Sequence, residues 1–337
     1  MAAALRSRPW GTAYVTGVAA DVSGYARLSP DAVLNAVESA GVRTDGRLLA
    51  LNSFENRVYQ VGIEDAAPLV AKFYRGGRWT DAAIEEEHAF ALELAEAELP
   101  VVAPLRFDHS TLLHFDRFRF ALYPRQGGRA PELESADNLA WMGRLLARLH
   151  GVGGRDRFVA RGTLDRATLI DLPSRAVLAS PLMPATLRDR YARVVKTLDS
   201  LIAEHFAAIG DVRHLRLHGD CHAGNVLWTD SGPHFVDLDD ARMGPAVQDL
   251  WMLAPTPRAL DLLLEGYAEF RDFDRRELAL IEPLRLMRQI HYAGWIAQRW
   301  ADPAFPRAFP FAGEARWWEQ HVNDLADAAL TLRETDD

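Results

Sequence analysis

The residues able to do chemistry in this 337-residue chain concentrate between positions 215 and 240. His218-Gly219-Asp220-Cys221-His222-Ala223-Gly224-Asn225 sets imidazoles, a carboxylate and an amide side by side, and Asp237-Leu238-Asp239-Asp240 follows beyond a polar turn. Two chemistries fit. In one, His218, Asp220, His222 and Asp237 ligate a transition metal that activates water, because imidazole and carboxylate suit Zn or Fe. In the other, Asn225 and Asp237 supply oxygens to Mg²⁺ while Asp220 orients an attacking hydroxyl and accepts its proton. An amide oxygen is a poor ligand for Zn and an ordinary one for Mg²⁺. Asp220, Asn225 four intervening residues later, and then Asp237 beyond a hairpin make the arrangement that phosphoryl transfer needs.

Phosphoryl transfer also demands a cation for the nucleotide phosphates and an acid to hold it. Lys72 lies in a β-rich run, and Glu87, or alternatively Glu86, lies on the helical segment that follows. Of the 38 basic residues only Lys72 and Lys196 are lysines. A compact ammonium where arginine is otherwise the rule fits a position that needs a point charge and not a planar fork. The metal-hydrolase reading makes no demand on this part of the chain, so phosphoryl transfer is preferred.

The elements that must carry these groups are legible in outline. Ser29-Pro30-Asp31 reads as a helix start and Gly41 as its end. Strand signals occupy Leu48 to Tyr74, with Arg57–Ile63 and Leu69–Tyr74 as a hairpin. A helix begins at Thr80 and ends at Pro100, and two strands follow around Thr111–Phe115 and Phe118–Tyr123. The remainder is largely helical: Leu139, Met142, Leu146 and Leu149 mark one helix face, and residues 184–209 and 258–300 have similar periodicity. Short strands around 215–220, 226–228 and 235–237 interrupt these helices and frame the reactive loop, with a turn at Asp230-Ser231-Gly232-Pro233.

Composition bounds the class. Apolar residues make up 49% and charged residues 25%, the ordinary balance of a folded globular chain. The length suggests two domains or one bilobal unit. A net charge of −9 argues against a general nucleic-acid binder. The single cysteine, Cys221, cannot form an internal disulfide. No apolar run is long enough to span a membrane. The first 26 residues lack the apolar core of a secretion signal, so a cytoplasmic location is the expectation.

The blocks LNSFENRVYQV (51–61), VAKFYRGGRWT (70–80), LRLHGDCHAGNVLW (215–228), FVDLDDARMGPAVQDLWML (235–253) and RWADPAFPRAFP (299–310) resemble the bacterial stress response kinase A family, also described as Rdo-type Ser/Thr protein kinases. That family belongs to the aminoglycoside phosphotransferase and choline kinase superfamily. The resemblance covers about residues 28–325. It implies an α+β, bilobal, protein-kinase-like fold, with a small antiparallel-sheet lobe over 29–125, a larger helical lobe over 126–337 and an extra, poorly ordered tail over 1–28. It implies ATP as co-substrate and Mg²⁺ as cofactor, with Asp220 and Asp237 catalytic, Asn225 and Asp237 on the metal, and Ser53, Lys72 and Glu87 at the nucleotide. The backbone of Ala121–Tyr123 is the expected adenine hinge. The loop Asn52–Asn56 lacks the glycines of ordinary protein kinases, as the family does. The acceptor implied is Ser or Thr of a protein, including the chain itself, in a bacterial stress response, with the enzyme a monomer. The same superfamily admits a small amino-alcohol or amino-sugar as acceptor, and a nucleotide-binding regulator without turnover is a further alternative.

Neighbouring residues invite plainer expectations. His218 and His222 brace the loop, His150 is a satisfied core histidine, and Cys221 is a small buried residue. Glu282, Arg285, Arg288, His291 and Trp295 lie on a helix expected to border the acceptor cleft. The roles of Asp239 and Asp240 are left open.

Overall fold

The computed structural model describes residues 24–334. A five-stranded antiparallel sheet forms the smaller lobe: β1 (Thr44–Leu51), β2 (Arg57–Ile63), β3 (Leu69–Phe73), β4 (Leu113–Phe115) and β5 (Phe118–Pro124), in the order β1-β2-β3-β5-β4. The sequence pattern shows four of these. It does not delimit β1, whose residues are mostly exposed and carry no alternation. Helix α1 (Pro30–Ser39) starts where Ser29 Oγ accepts the Ala32 N–H at 3.2 Å. Its Val33 and Val37 bury against Val61, Ala71, Phe73, Phe120 and Leu122 of the sheet.

The expected tail over 1–28 lies outside the described residues up to position 23. Its last part is corrected by the structure. Tyr25 and Leu28 are buried in this same core, and Tyr25 Oη donates to the Phe73 carbonyl at 3.0 Å. Leu28, just before the cap, joins Val33 in one apolar cluster, the staple that fixes how a chain enters its helix.

Period-two alternation sends Ala71 and Phe73 of β3 into that core and Lys72 to the opposite face. Across that face runs α2 (Asp81–Glu96), capped by Thr80. After α2 the chain touches the second lobe directly, with Val102 N–H donating to the Phe235 carbonyl at 3.0 Å and Phe235 N–H to the Pro100 carbonyl at 2.7 Å.

The larger lobe comprises α3 (Ala136–Gly153), α4 (Leu172–Ala179), α5 (Arg188–Ala208), α6 (Val247–Trp251), α7 (Pro257–Ala268), α8 (Ile281–Arg299), α9 (Ala304–Ala308) and α10 (Ala315–Glu334). Set among them are the pair β6 (Leu215–Arg216) and β9 (Met243–Gly244) and the hairpin β7 (Val226–Thr229) and β8 (Gly232–Phe235). Leu139, Met142, Leu146 and Leu149 all face one core, together with Val226, Phe235, Leu263 and Tyr267. A second core joins α5, α8 and α10 through Tyr191, Leu198, Ile290 and Trp318.

Where α3 crosses α7 the backbones meet. A Cβ on Gly143 would stand 2.0 Å from the Leu263 carbonyl oxygen, and one on Gly266 2.1 Å from that of Ala140. The crossing matters to function because α3 carries His150 beneath the reactive loop. Gly266→Ala should therefore force the helices apart and cost about 1–3 kcal/mol, the usual range for overpacking. A lowered urea midpoint would record this, whereas an unchanged midpoint would rule out backbone-to-backbone packing.

Candidate active site

Lys72 brings three acids together. Its Nζ lies 2.8 Å from Asp237 Oδ1, 3.5 Å from Asp239 Oδ1 and 3.9 Å from Glu87 Oε1. Burial opposes the ammonium charge, but the three carboxylates outweigh it and hold the Lys72 pKa well above its usual value. Glu87 is itself buried, and burial pushes its carboxyl up to about 6, against the pull of Lys72 and Arg161. Glu86 points elsewhere. Its carboxylate accepts the backbone N–H groups of Val159, Ala160 and Arg161 at 2.8, 2.9 and 3.0 Å, which fastens α2 to the segment after α3. Neighbouring residues diverge by about 100° around a helix, so only Glu87 enters the cleft.

Asp237 leaves β8 in a left-handed conformation, φ 60° and ψ 67°, a strained choice for a residue with a Cβ and a frequent mark of a functional turn. Its side chain is 53% exposed, while that of Asp239 is only 4% exposed. Asp239 accepts from Asn56 Nδ2 at 3.0 Å and pairs with Arg78. Arg78 reaches on to Asp240 at 2.7 Å. Both carboxyls are held below the ordinary range: burial opposes their charge, but Arg78 leads the cations that outweigh it. Their role, open in the sequence, is to brace. Asp239 ties the loop Asn52–Asn56 to the segment that carries Asp237.

Ser53 lies in that loop, where its Oγ donates to the Asn56 carbonyl at 3.1 Å, a bond within the loop itself. The loop is held from the other lobe as well. Glu55 accepts from Trp295 Nε1 at 2.6 Å and Arg299 Nη2 at 3.0 Å. Asp302 pairs with Arg57 at 2.9 Å and Arg75 at 2.8 Å. A loop without glycine is thus positioned by charge pairs. Ala121 is buried on β5 opposite Lys72, and Tyr123 Oη lies 2.9 Å from Tyr74 Oη, at the strand end that leads into the larger lobe.

The reactive loop follows β6. Asp249 on α6 is fully buried and accepts the His218 N–H at 2.8 Å and the Gly219 N–H at 2.9 Å. His150 Nε2 stands 3.2 Å from the same carboxylate, with its Nδ1 2.9 Å from Tyr267 Oη. A proton on Nε2 satisfies this whole chain of bonds. Gly219 has φ +83°, and a Cβ there would stand 2.1 Å from the Asp240 carbonyl oxygen. Sequence reasoning missed Asp249. Its signal is a carboxylate, beside Gln248, in the mostly apolar run Val247–Leu253, where a buried charge is costly unless it is paired.

Asp220 follows directly. Asn225 Nδ2 donates to its carbonyl at 2.9 Å and lies 3.5 Å from its Oδ2. His222 Nε2 is also 3.5 Å from Oδ2, and Arg288 of α8 pairs with Oδ1. Burial opposes the charge of Asp220, but His222 and Arg288 outweigh it and keep its carboxyl below the usual range. His222 Nδ1 also accepts the Gly224 N–H at 2.9 Å. His218 Nε2 donates to the Val236 carbonyl at 3.0 Å, so both histidines brace the loop. Cys221 is buried, and burial raises its thiol pKa well above the ordinary value, the opposite of a reactive cysteine.

The metal-hydrolase set does not form. Among the described residues no three His, Cys, Asp or Glu side chains gather to hold a metal. The Mg²⁺ set passes a different test. The Asn225 amide is turned with its nitrogen on Asp220, leaving its oxygen as the available donor, and Asp237 is a half-exposed carboxylate. Two hard oxygens beside a cleft are what an ion that otherwise keeps water and phosphate ligands requires. Of the expected helix face on α8, Arg285 is paired with Glu282 at 2.9 Å, whereas Arg288 reaches Asp220.

The Lys72–Glu87 pair yields a pH test. With Glu87 titrating near 6, the pair forms above that pH and is lost as pH falls through it, because a neutral carboxyl cannot hold the ammonium. kcat/KM for ATP should drop below about pH 6, and Glu87→Gln should lower it at pH 8 by about tenfold or more while flattening that acid limb, in line with a buried charge partner removed. An identical acid limb in Glu87→Gln would show that another group controls it.

With this geometry in view, the comparisons are direct. The sequence profile of the phosphotransferase enzyme family (APH) matches residues 47–281. Stress response kinase A of Escherichia coli strain K12 is 44% identical over 312 residues, covering 91% of this chain and 94% of that protein. Serine/threonine protein kinase RdoA of Salmonella typhimurium strain LT2 is 42% identical over 312 residues, with the same coverage of 91% and 94%. Among solved structures, amicoumacin kinase hAmiN, in complex with AMP-PNP, Ca²⁺ and Ami, superposes with a TM-score of 0.70 at 18% identity, covering 86% of this chain and 92% of that one. A carboxylate-anchored lysine, a kinase-like pair of lobes and identity this extensive lead to one conclusion: the chain belongs to the phosphotransferase enzyme family and, within it, to the stress response kinase A group of kinases.

Proposed function

We propose that this kinase uses ATP and Mg²⁺ to phosphorylate Ser or Thr of a protein acceptor, its own chain included, as a cytoplasmic monomer acting in a bacterial stress response. The observation that carries the reading is the identity of 42–44% across 91% of the chain with proteins named stress response kinase A and serine/threonine protein kinase RdoA.

In this reading Lys72, held by Glu87, pairs with the α- and β-phosphates of ATP. The loop around Ser53 covers the phosphates, and the backbone of Ala121–Tyr123 receives the adenine. Asn225 and Asp237 hold Mg²⁺, which when bound neutralises charge on the β- and γ-phosphates. Asp220 orients the acceptor hydroxyl. The bond from the γ-phosphorus to the ADP oxygen breaks as the bond to the acceptor oxygen forms, and the hydroxyl proton passes to Asp220. The rate gain comes from positioning and from preset charge.

A second reading, a small-molecule kinase, draws on the shared fold with amicoumacin kinase. An amino-alcohol or amino-sugar acceptor is cationic and calls for an acidic wall. Beside Asp220 stands Arg288 instead, which favours the protein acceptor.

Transfer from labelled ATP in the presence of Mg²⁺, offered to protein acceptors and to an amino-alcohol and amino-sugar panel, tests the choice. Label on Ser or Thr is expected, falling by about 10²–10⁴-fold in Asp220→Asn, the range for loss of a positioned acid–base group, with ATP affinity largely retained. Label confined to small molecules would move the enzyme to the second reading, and unchanged turnover in Asp220→Asn would overturn the catalytic assignment.

A further inference from the structure

Both oxygens of Asp220 face donors of the chain itself. Asn225 Nδ2 and His222 Nε2 each stand 3.5 Å from Oδ2, and the Arg288 guanidinium pairs with Oδ1. A group that must receive a hydroxyl proton needs one of these oxygens released. Asn225 sits in the turn that follows Asp220 and bonds its backbone, so it is not the one to move. Arg288 comes from α8, on a long stem, with its side chain 41% exposed.

An arginine that leaves a carboxylate needs another anion, and the nearby acids are engaged. Asp240 is paired with Arg78 at 2.7 Å and lies 3.6 Å from Arg242. Glu282 is taken by Arg285, and Glu55 by Arg75 and Arg299. His291, one turn from Arg288 on α8, is kept neutral by burial, which pushes its pKa down to about 4. Tyr292, the next residue and likewise one turn from Arg288, is 40% exposed and stacks on Trp295 with ring centroids 5.9 Å apart. From α8, then, a partly exposed cation meets Asp220, with the stacked Tyr292–Trp295 pair one to two turns along the helix.

We propose that Arg288 is the residue that selects the acceptor: it occupies Asp220 Oδ1 in the free enzyme and transfers to an anionic group beside the acceptor hydroxyl as that hydroxyl takes its place. The preferred acceptor is a Ser or Thr flanked by Asp, Glu or a phosphorylated residue. A cationic acceptor is rejected, because it would meet a guanidinium with no carboxylate to balance it. The inference rests on the protein-kinase reading and deepens it. Arg288 touches the acceptor and frees Asp220, but accepts no proton.

The test compares kcat/KM for matched Ser peptides flanked by Ala, by Glu, by phosphoserine and by Lys, with wild type, Arg288→Ala and Arg288→Glu. Wild type should favour the anionic peptides over the Ala peptide by about tenfold or more, chiefly through KM, as for a charge-assisted pair. In Arg288→Ala the ratio should fall below about twofold, and in Arg288→Glu the order should invert toward the Lys peptide, which loss of structure alone would not produce. A larger gain for phosphoserine than for Glu would identify a primed acceptor, and equal gains an acidic one; either supports the assignment. Equal wild-type rates on all four peptides, or a preference that survives intact in both variants, would overturn it. Transfer to no peptide, with transfer to amino-alcohols or amino-sugars, would overturn the protein-kinase reading and this inference together.

Discussion

A single ammonium buried among carboxylates organises this molecule. Lys72 cannot be charged and buried without acid partners, and its three partners come from two separate places: Glu87 from α2, and Asp237 and Asp239 from the turn after β8. Satisfying one cation therefore holds the sheet, its helix and the larger lobe in one relation. Arg161 faces Glu87 at 3.7 Å and Arg78 pairs with Asp239. Asp237 lies nearest to Lys72, at 2.8 Å, and is the acid of the three that stands half exposed. Three acids thus face three cations, and the half-exposed Asp237 is the acid of the set open to solvent.

The scaffold around this cluster relies on carboxylates that collect backbone N–H groups. Glu86 takes three from the segment after α3, and Asp249 takes two from the reactive loop while bonded to His150. Charge-assisted bonds of this kind are roughly twice as strong as neutral ones. Arg161 extends the pattern: its Nε donates to the Ala241 carbonyl at 2.6 Å, its Nη1 to the Ala83 carbonyl at 2.8 Å, and its guanidinium lies 4.2 Å from the Trp79 ring. Helix α2 is thereby fastened at adjacent positions, Glu86 to the scaffold and Glu87 to the lysine. That pairing explains why the acidic run 85–87 carries more than surface charge.

The fold and the cluster were largely legible because polar groups in apolar surroundings are conspicuous. Lys72 stood out as a rare ammonium in a strand, and Asp220, Asn225 and Asp237 as polar groups between short strands. What stayed hidden depends on contacts between distant segments. Strand β1 has no alternation because it is largely exposed, Asp249 is one letter in a short helix beside Gln248, and Tyr25 reveals its place through a bond to Phe73 across the sheet. Spacing could not tell Glu86 from Glu87 as securely as the two sets of partners do. Nor could it show that Arg285 and Arg288, three residues apart, have different partners, one in a surface pair with Glu282 and one on Asp220.

The central claim is that a compact ammonium at position 72, and not positive charge alone, sets the nucleotide site. Lys72→Arg tests it most directly, because it keeps the charge but replaces a point with a planar fork that cannot fit three carboxylates within 3.9 Å of one nitrogen. ATP affinity by calorimetry and phosphoryl transfer should be measured on wild type and Lys72→Arg side by side. The account predicts a folded protein with transfer reduced by about 10²-fold or more, the scale for losing one preset electrostatic contact. Transfer within about threefold of wild type would contradict it.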